Sequence, residues 1–111
     1  ISGDDAMGLS VISSGGKGVI SVIGNAFPKD YGAMVHSGLD GDMMAAGAQL
    51  RDMLNIIEMI FIEGNPGGIK EVLQYLNICE NYMRLPLVRI SKEARDLIYR
   101  SLAEGTLAHH L

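Results

Sequence analysis

The apolar residues divide the chain into a first part that alternates helix and strand signals and a longer part with helix signals only. Residues 18–23 hold four apolar side chains, with Ser21 as the polar exception. A run that is apolar on both faces is typical of a parallel strand covered on both sides. A single strand cannot satisfy its own backbone groups, and the sequence supplies no further convincing strand. The chain therefore looks like a piece of a larger α/β protein.

The first part of the chain predicts the end of one β/α unit followed by a complete second unit. Ile1 has the character of the last residue of a strand, and residues 5–14 predict a short helix that a glycine pair ends. After the strand at 18–23, Pro28 is placed to begin a helix that runs to about Leu39. Two successive units of this size suit a (β/α)₈ barrel or a doubly wound sheet.

From Asp40 onward the spacing of apolar residues is helical, and Asp40-Gly41-Asp42 offers an N-cap for a long helix. The predicted inner faces are Leu50, Leu54, Ile57 and Phe61, with a second line of Met53, Ile56 and Ile60, in the long helix; Ile69, Val72, Leu73 and Leu76 in the next; and Ala94, Leu97, Ile98 and Leu102 in the last, which Ser91 caps. Two apolar lines on one helix indicate burial on two sides. We expect the second line to contact other subunits.

Glycine and proline mark the breaks between these helices. Residues 64–68 end the long helix, and residues 84–88 are predicted to be extended because a residue before proline avoids the helical region. The sequence thus predicts β/α units over 1–40, a helical segment over 41–104, and a tail without pattern over 105–111.

Composition and charge exclude several classes of function. The formal net charge is −4 and no Lys/Arg cluster is present, which argues against nucleic-acid binding. Three charged residues interrupt the apolar stretch 43–62, which argues against a membrane span. The single cysteine, Cys79, cannot form an internal disulfide and is predicted to be a small buried hydrophobic residue.

Candidate chemistry is sparse. The glycines of residues 15–18 resemble a phosphate loop, but they precede a strand instead of opening a helix, which argues against nucleotide binding. Asp4 and Asp5 could be catalytic carboxylates or metal ligands, although helix capping is favoured. His36 is predicted to lie on the surface. No nucleophile–base pair, metal site or cofactor site can be built from spacing, and the ends of the strands remain the usual place for chemistry.

Four motifs, in order and at suitable spacing, closely resemble the dihydrodipicolinate synthase family. They are Ser-Gly-Asp-Asp-Ala at 2–6, Gly-Gly-Lys-Gly-Val-Ile-Ser-Val at 15–22, the Asn-Pro-x-x-x-Lys segment within 61–70, and Arg-Leu-Pro within 84–88. The wider family includes N-acetylneuraminate lyase and related 2-keto-acid aldolases. Many members have a second proline after Asn-Pro, where this chain has Gly67-Gly68.

The resemblance implies an α/β fold, namely the last β/α units of a (β/α)₈ TIM barrel followed by a C-terminal three-helix segment. It implies a lyase that condenses pyruvate with aspartate 4-semialdehyde on the diaminopimelate pathway of lysine biosynthesis. In the family, pyruvate forms a Schiff base with a lysine of the sixth strand, and tyrosines of earlier strands relay protons. None of these side chains maps onto this chain, and Lys17, which precedes the eighth strand, does not match the catalytic lysine. The isolated chain is therefore expected to be inactive.

Part of the family's pyruvate pocket does map. Gly3 would let the backbone approach the substrate, and the carbonyl of Ile20 would lie near the bound keto acid. The resemblance further implies a cytoplasmic homotetramer that uses no cofactor or metal and binds neither nucleic acid nor membrane. Two alternatives stay open: another pyruvate-dependent aldolase of the same family, and a non-catalytic helical fragment that acts as an interaction module.

Overall fold

The computed structural model describes residues 1–105, so most of the predicted tail, residues 106–111, lies outside the described residues. The helices of the described part are α1 (Gly8–Ser13), α2 (Pro28–Leu39), α3 (Met43–Ile60), α4 (Gly67–Tyr75) and α5 (Lys92–Glu104), with a 3₁₀ turn at Ile23–Asn25. The chain is thus mostly helical. No helix within residues 1–105 is both long and apolar enough to cross a membrane.

The strand predicted at 18–23 is wrong as an extended element. Within the described residues, its ladder contact is one parallel bridge between Ser2 and Val19. The chain then turns into the 3₁₀ helix at Ile23. A pair of segments without further neighbours forms too few hydrogen bonds to hold a longer strand. The parallel direction of the bridge is nevertheless the one that successive β/α units require.

Local signals place the beginnings of three helices, α2, α3 and α5, correctly. Pro28 stands at the first position of α2, and the Asp42 carboxylate caps α3 by accepting a hydrogen bond from the Ala45 N–H at 3.1 Å. Ser91 caps α5 in the same way, at 3.2 Å from the Ala94 N–H. Helix α1 is shorter than predicted, because it begins at Gly8 and not at residue 5.

Helix α3 buries the apolar line that we expected on a subunit interface. Met53, Ile56 and Ile60 are 0%, 3% and 1% exposed within the chain itself. The expectation is wrong because α3 packs against α2 on one side and against α4 and α5 on the other. Two-sided burial is therefore satisfied inside one chain. The other predicted line is mixed, since Ile57 is buried but Phe61 is exposed.

A single hydrophobic core joins the helices. Its buried members are Ile12, Ile23, Ala26, Phe27, Tyr31, Met34, Val35, Ala46, Met53, Ile56, Ile57, Ile60, Ile69, Val72, Ile90, Ala94, Ile98 and Leu102. The predicted inner faces of α4 and α5 pack on this core, with Leu73 and Leu76 only partly buried, apart from Leu97, which is exposed.

The turn between α3 and α4 depends on glycine. A Cβ at Gly68 would lie 1.9 Å from the carbonyl oxygen of Ile60, so the start of α4 touches the last turn of α3 through its backbone. Gly64 takes a φ of +91°, which L side chains rarely adopt. The Gly67-Gly68 pair, at which the chain departs from the family's usual proline, is therefore a packing requirement of this connection.

The segment between α4 and α5 has no regular secondary structure. The extended chain predicted at 84–88 is wrong, because residues 85–86 form a turn in which the Leu87 N–H donates to the Arg84 carbonyl at 3.1 Å. The segment is fixed by the buried carboxylate of Glu71, which accepts hydrogen bonds from Arg89 Nε at 2.7 Å, from the Tyr99 hydroxyl at 2.6 Å and from the Asn81 amide. Cys79 lies on this segment and is exposed, so the prediction that it is buried is wrong.

Candidate functional site

The two segments that carry the predicted pocket residues lie side by side. The Ser2 N–H donates to the Gly18 carbonyl at 3.0 Å, and the Ile20 N–H donates to the Ser2 carbonyl at 2.8 Å. Gly3 and Ile20 directly follow the bridged pair Ser2 and Val19. Since successive residues of a pleated pair face opposite sides, Gly3 and Ile20 share the face that points away from the core. Ile20 is accordingly 74% exposed, while Ser2 is buried.

The loop after Gly3 is ordered by its own polar groups. Asp4 Oδ1 accepts hydrogen bonds from the N–H groups of Ala6 and Met7, at 3.0 and 3.2 Å. The Ser2 hydroxyl donates a hydrogen bond to the Asp4 carbonyl and accepts one from the Asp4 N–H. The helix-capping role predicted for Asp4 is wrong, because the N-cap of α1 is Met7 and no side chain caps it. The Asp4 carboxylate instead orders the turn before α1 and is occupied by backbone donors.

Asp5 has a different role from the predicted cap. Its side chain is buried, and Oδ2 accepts hydrogen bonds from the N–H groups of Val22 at 3.2 Å and Ile23 at 2.8 Å. These donors belong to the segment after the second half of the bridge. Asp5 thus ties the loop that follows Gly3 to the turn that follows Ile20. No described residue donates to its other carboxylate oxygen, Oδ1, which is also buried.

Tyr31 supports the same loop from helix α2. Its hydroxyl donates to the backbone carbonyl of Asp5 at 2.8 Å. Burial, and then the negative charges of Asp5 and Asp4, raise the pKa of Tyr31 to about 12. The hydroxyl therefore stays protonated and remains a donor across the physiological pH range. Gly8 makes room for it, because a Cβ there would lie 2.5 Å from the Tyr31 oxygen.

A cleft of about 300 Å³ opens beside Gly3, between this loop and the C-terminal end of α3. Its walls are formed by Gly3, Asp4, Asp5, Ala6, Ile57, Glu58 and Phe61. A Cβ built on Gly3 meets no atom within 4 Å, so the space in front of that residue is open. The cleft has apolar walls with carboxylates among them, and it can accept a small organic molecule against the backbone of Gly3.

Other candidates do not form a site in the described part of the chain. Residues 1–105 hold no group of three or more His, Cys, Asp or Glu side chains placed to bind a metal. The glycines of residues 15–18 end α1, where Gly15 has a φ of +103° and the Gly16 N–H bonds to the Val11 carbonyl at 2.8 Å. They do not open a helix, as a phosphate loop would. His36 is exposed, as predicted.

The role of Asp5 and the contribution of α3 to the cleft were missed by sequence reasoning. Asp5 bonds to residues 17 and 18 positions away, and no local pattern marks such a contact. The sequence held one signal of a further role for Asp5, namely the two consecutive aspartates Asp4 and Asp5. One carboxylate is enough to cap the turn, so the second was available for another contact.

Known proteins show strong similarity to this chain. The sequence profile of the dihydrodipicolinate synthetase family matches residues 1–104. The 4-hydroxy-tetrahydrodipicolinate synthase of Flavobacterium psychrophilum is 45% identical over 107 residues, which cover 94% of this chain and 36% of that protein. The crystal structure of dihydrodipicolinate synthase from Aquifex aeolicus superposes with a TM-score of 0.91 at 33% identity, over 94% of this chain and 36% of that chain.

A solved dihydrodipicolinate synthase variant described as monomeric superposes with a TM-score of 0.89 at 30% identity, over 96% of this chain and 35% of that chain. The chain therefore spans about a third of the length of the curated relatives that it matches. Because the family profile covers nearly all of the described residues, the chain belongs to the dihydrodipicolinate synthetase family.

Proposed function

We propose that this chain is part of a Schiff-base-forming synthase that condenses pyruvate with aspartate 4-semialdehyde in lysine biosynthesis. Residues 1–40 supply the last β/α units of its TIM barrel, and residues 41–104 form the helical segment that follows. The chain contributes pocket wall and assembly surface, while the catalytic lysine comes from outside it. Membership of the family supports this proposal, as do relatives named 4-hydroxy-tetrahydrodipicolinate synthase.

The observation that carries the proposal is the pairing of Gly3 with Ile20. The hydrogen bonds of Ser2 to Gly18 and Ile20 set these two residues next to each other, on the open face of the pair. A keto acid placed there meets the backbone of Gly3 without a side chain in the way. In the proposed pocket, Gly3 gives access and Ile20 offers its carbonyl as a polar contact, while its side chain shapes the wall.

Borohydride trapping tests the reaction class. The intact parent protein, treated with pyruvate and borohydride, is expected to gain the mass of one reduced pyruvate on one lysine. The isolated 111-residue chain is expected to gain none, since none of its lysines matches the Schiff-base lysine. A stable adduct on the isolated chain would show that the catalytic lysine lies within it. A parent without any adduct would remove the proposed function.

A Gly3→Ala substitution tests the pocket itself. The added methyl meets no protein atom within 4 Å, so folding should be unaffected, yet the methyl enters the space proposed for pyruvate. We expect the KM for pyruvate to rise about tenfold in the intact parent. Gly32→Ala is the matched control, because its methyl on α2 also meets nothing within 4 Å. An unchanged KM in Gly3→Ala would place the substrate elsewhere.

Two further properties are part of the proposal for the intact protein, namely a cytoplasmic location and a homo-oligomer, with the tetramer as the expected form. The interface cannot use the Met53 line, which is buried within the chain. Because one similar protein is described as monomeric, the oligomeric state has to be measured. Light scattering of the intact protein distinguishes a tetramer from a monomer.

A further inference from the structure

We infer that Asp5 is a positioning residue that fixes the distance between the two halves of the proposed pyruvate pocket, an inference that rests on the proposed function. Gly3 and Ile20 lie on separate segments, and the bridge at Ser2 joins these segments on only one side of the pocket. On the other side, beyond Gly3 and Ile20, Asp5 makes the link.

The hydrogen bonds of Asp5 reach both segments at once. Its backbone follows Gly3 by two residues, and its Oδ2 holds the N–H groups of Val22 and Ile23, which follow Ile20 by two and three residues. Along the chain, the two segments are therefore joined by backbone hydrogen bonds at the bridge, next to the pocket residues, and by one carboxylate after them. A charged acceptor of two N–H groups is a strong and directional link.

Tyr31 fixes the other end of Asp5. Its hydroxyl holds the Asp5 carbonyl at 2.8 Å, and its ring is buried in the core. The position of the pocket is thereby fixed relative to helix α2, which packs on α3. Asp5 stands between a rigid helix and the turn after Ile20, so a change in its side chain is transmitted to the pocket and not only to the loop.

The carboxylate is also costly in this place. Asp5 is 2% exposed, and no described residue donates to Oδ1. The cap of α3, Asp42, performs the same backbone acceptance with an exposed carboxylate and avoids this cost. A simple turn does not require a buried charge, since an exposed carboxylate can order it. A positioning role does require the charge to be buried next to the pocket.

Three variants of the intact parent test the inference: Asp5→Ala, Asp5→Asn and Tyr31→Phe. Asp5→Ala removes the acceptor, and we expect the KM for pyruvate to rise about tenfold or more, with a much smaller change in kcat. Asp5→Asn keeps an oxygen acceptor for the same N–H groups, so the KM should return most of the way to the wild-type value. Tyr31→Phe keeps the ring in the core and should raise the KM about threefold.

Asp42→Ala is the matched control, because it removes a carboxylate that accepts a backbone N–H but lies at the opposite end of α3, about 22 Å along the helix from Ile57, the first α3 residue of the cleft. Its KM should be that of the wild type. Equal effects of Asp5→Ala and Asp42→Ala on KM would overturn the inference. If Asp5→Ala does not fold, Tyr31→Phe decides: a wild-type KM in that variant also overturns it.

Amide NMR on the 111-residue chain gives a readout independent of activity. Asp5→Ala should shift the N–H signals of Gly3, Ile20 and Ile23, whereas Asp42→Ala should leave them in place. Unmoved signals would show that Asp5 does not hold the two segments. A parent that fails to trap pyruvate would instead remove the proposed function and leave the link between the segments intact.

Discussion

Residues 1–25 and the helical segment α3–α5 are held in place by different means. In the helical segment, each helix buries several apolar side chains against its neighbours, and the core is continuous from Ala46 to Leu102. Residues 1–25 add two buried residues, Ile12 and Ile23, and four partly buried ones, Ala6, Leu9, Val19 and Val22, and their arrangement depends further on one parallel bridge and the bonds of Asp5. The stability of the helical segment is thus distributed over many apolar contacts, whereas the arrangement of residues 1–25 depends more on a few polar bonds. Substitutions in the helical segment should therefore act on global unfolding, and those in residues 1–25 on local geometry.

The largest expected effect comes from a charge in the shared core. Met53 is 0% exposed at the centre of α3, so Met53→Lys buries an ammonium without a partner and should cost about 4 kcal/mol or more of unfolding free energy. Met44→Lys, on the same helix but 88% exposed, is the control and should change stability little. Urea unfolding measures both. A well-folded Met53→Lys variant with altered assembly would restore the interface role that the structure removes.

A smaller loss is expected from Gly68→Ala. The added methyl meets the Ile60 carbonyl at 1.9 Å, and this atom belongs to backbone that cannot rotate away, so α3 and α4 must separate. Overpacking of this kind costs about 3 kcal/mol. Gly47→Ala is the control in α3, where the methyl approaches only the flexible end of Arg51, and it should be neutral or stabilising. If both variants unfold at the same urea concentration, the contact between the two helices is looser than described.

The same two regions show what the sequence could predict. Pro28, Asp42 and Ser91 mark helix starts through chemistry confined to a few neighbouring residues, and these predictions are confirmed. The strand at 18–23 failed because strand formation depends on partners far along the chain. Periodicity also found both apolar lines of α3, but only the packing of α2, α4 and α5 decides that the line through Met53 is internal.

The candidate site was predictable only in part. Gly3 and Ile20 came from motifs that resemble a known family, whereas the link through Asp5 joins positions 17 and 18 residues apart. The exposure of Cys79 was mispredicted for a similar reason, since the loop that carries it is fixed by Glu71 of α4 and Arg89 before α5. Residue type alone did not reveal either contact.

The Glu71 cluster predicts a pH-dependent stability of the helical segment. Burial by itself would raise the pKa of Glu71, but hydrogen bonds from Arg89 and Tyr99 outweigh it and lower the pKa below the ordinary value of 4.5. A carboxylate with a depressed pKa stabilises the fold above its unfolded pKa, and this contribution is lost as the pH falls through the folded value. Urea unfolding at about pH 7 and about pH 3 should show the loss, and Glu71→Gln should reduce it.

Arg89→Ala tests the same cluster at neutral pH. It removes two hydrogen bonds from a buried carboxylate and should cost about 2 kcal/mol. Lys92→Ala is the matched control: its 3.6 Å pair with Asp96 is exposed on both sides, so its loss should cost less than about 0.5 kcal/mol. Equal stability of the two variants would mean that the buried pair contributes no more than a surface pair.

The smallest expected effect distinguishes the two regions most directly. Asp42→Ala removes the N-cap of α3 and should lower the unfolding free energy by about 1 kcal/mol. Since the helices share one core, we expect the helical segment to unfold as a unit. Amide hydrogen exchange should then accelerate by a similar factor at buried positions of α3 and α5, such as Met53 and Ile98. Ile20 and Ile23 should exchange faster than these in the wild type and should change little in the variant, because they open locally. Asp42→Asn, which keeps the cap, should leave every rate unchanged. The exchange rates of the Ile23 and Met53 amides could instead change together across the wild type, Asp42→Ala and Asp42→Asn. In that case residues 1–25 fold with the helices as one unit, and the two regions are not separate.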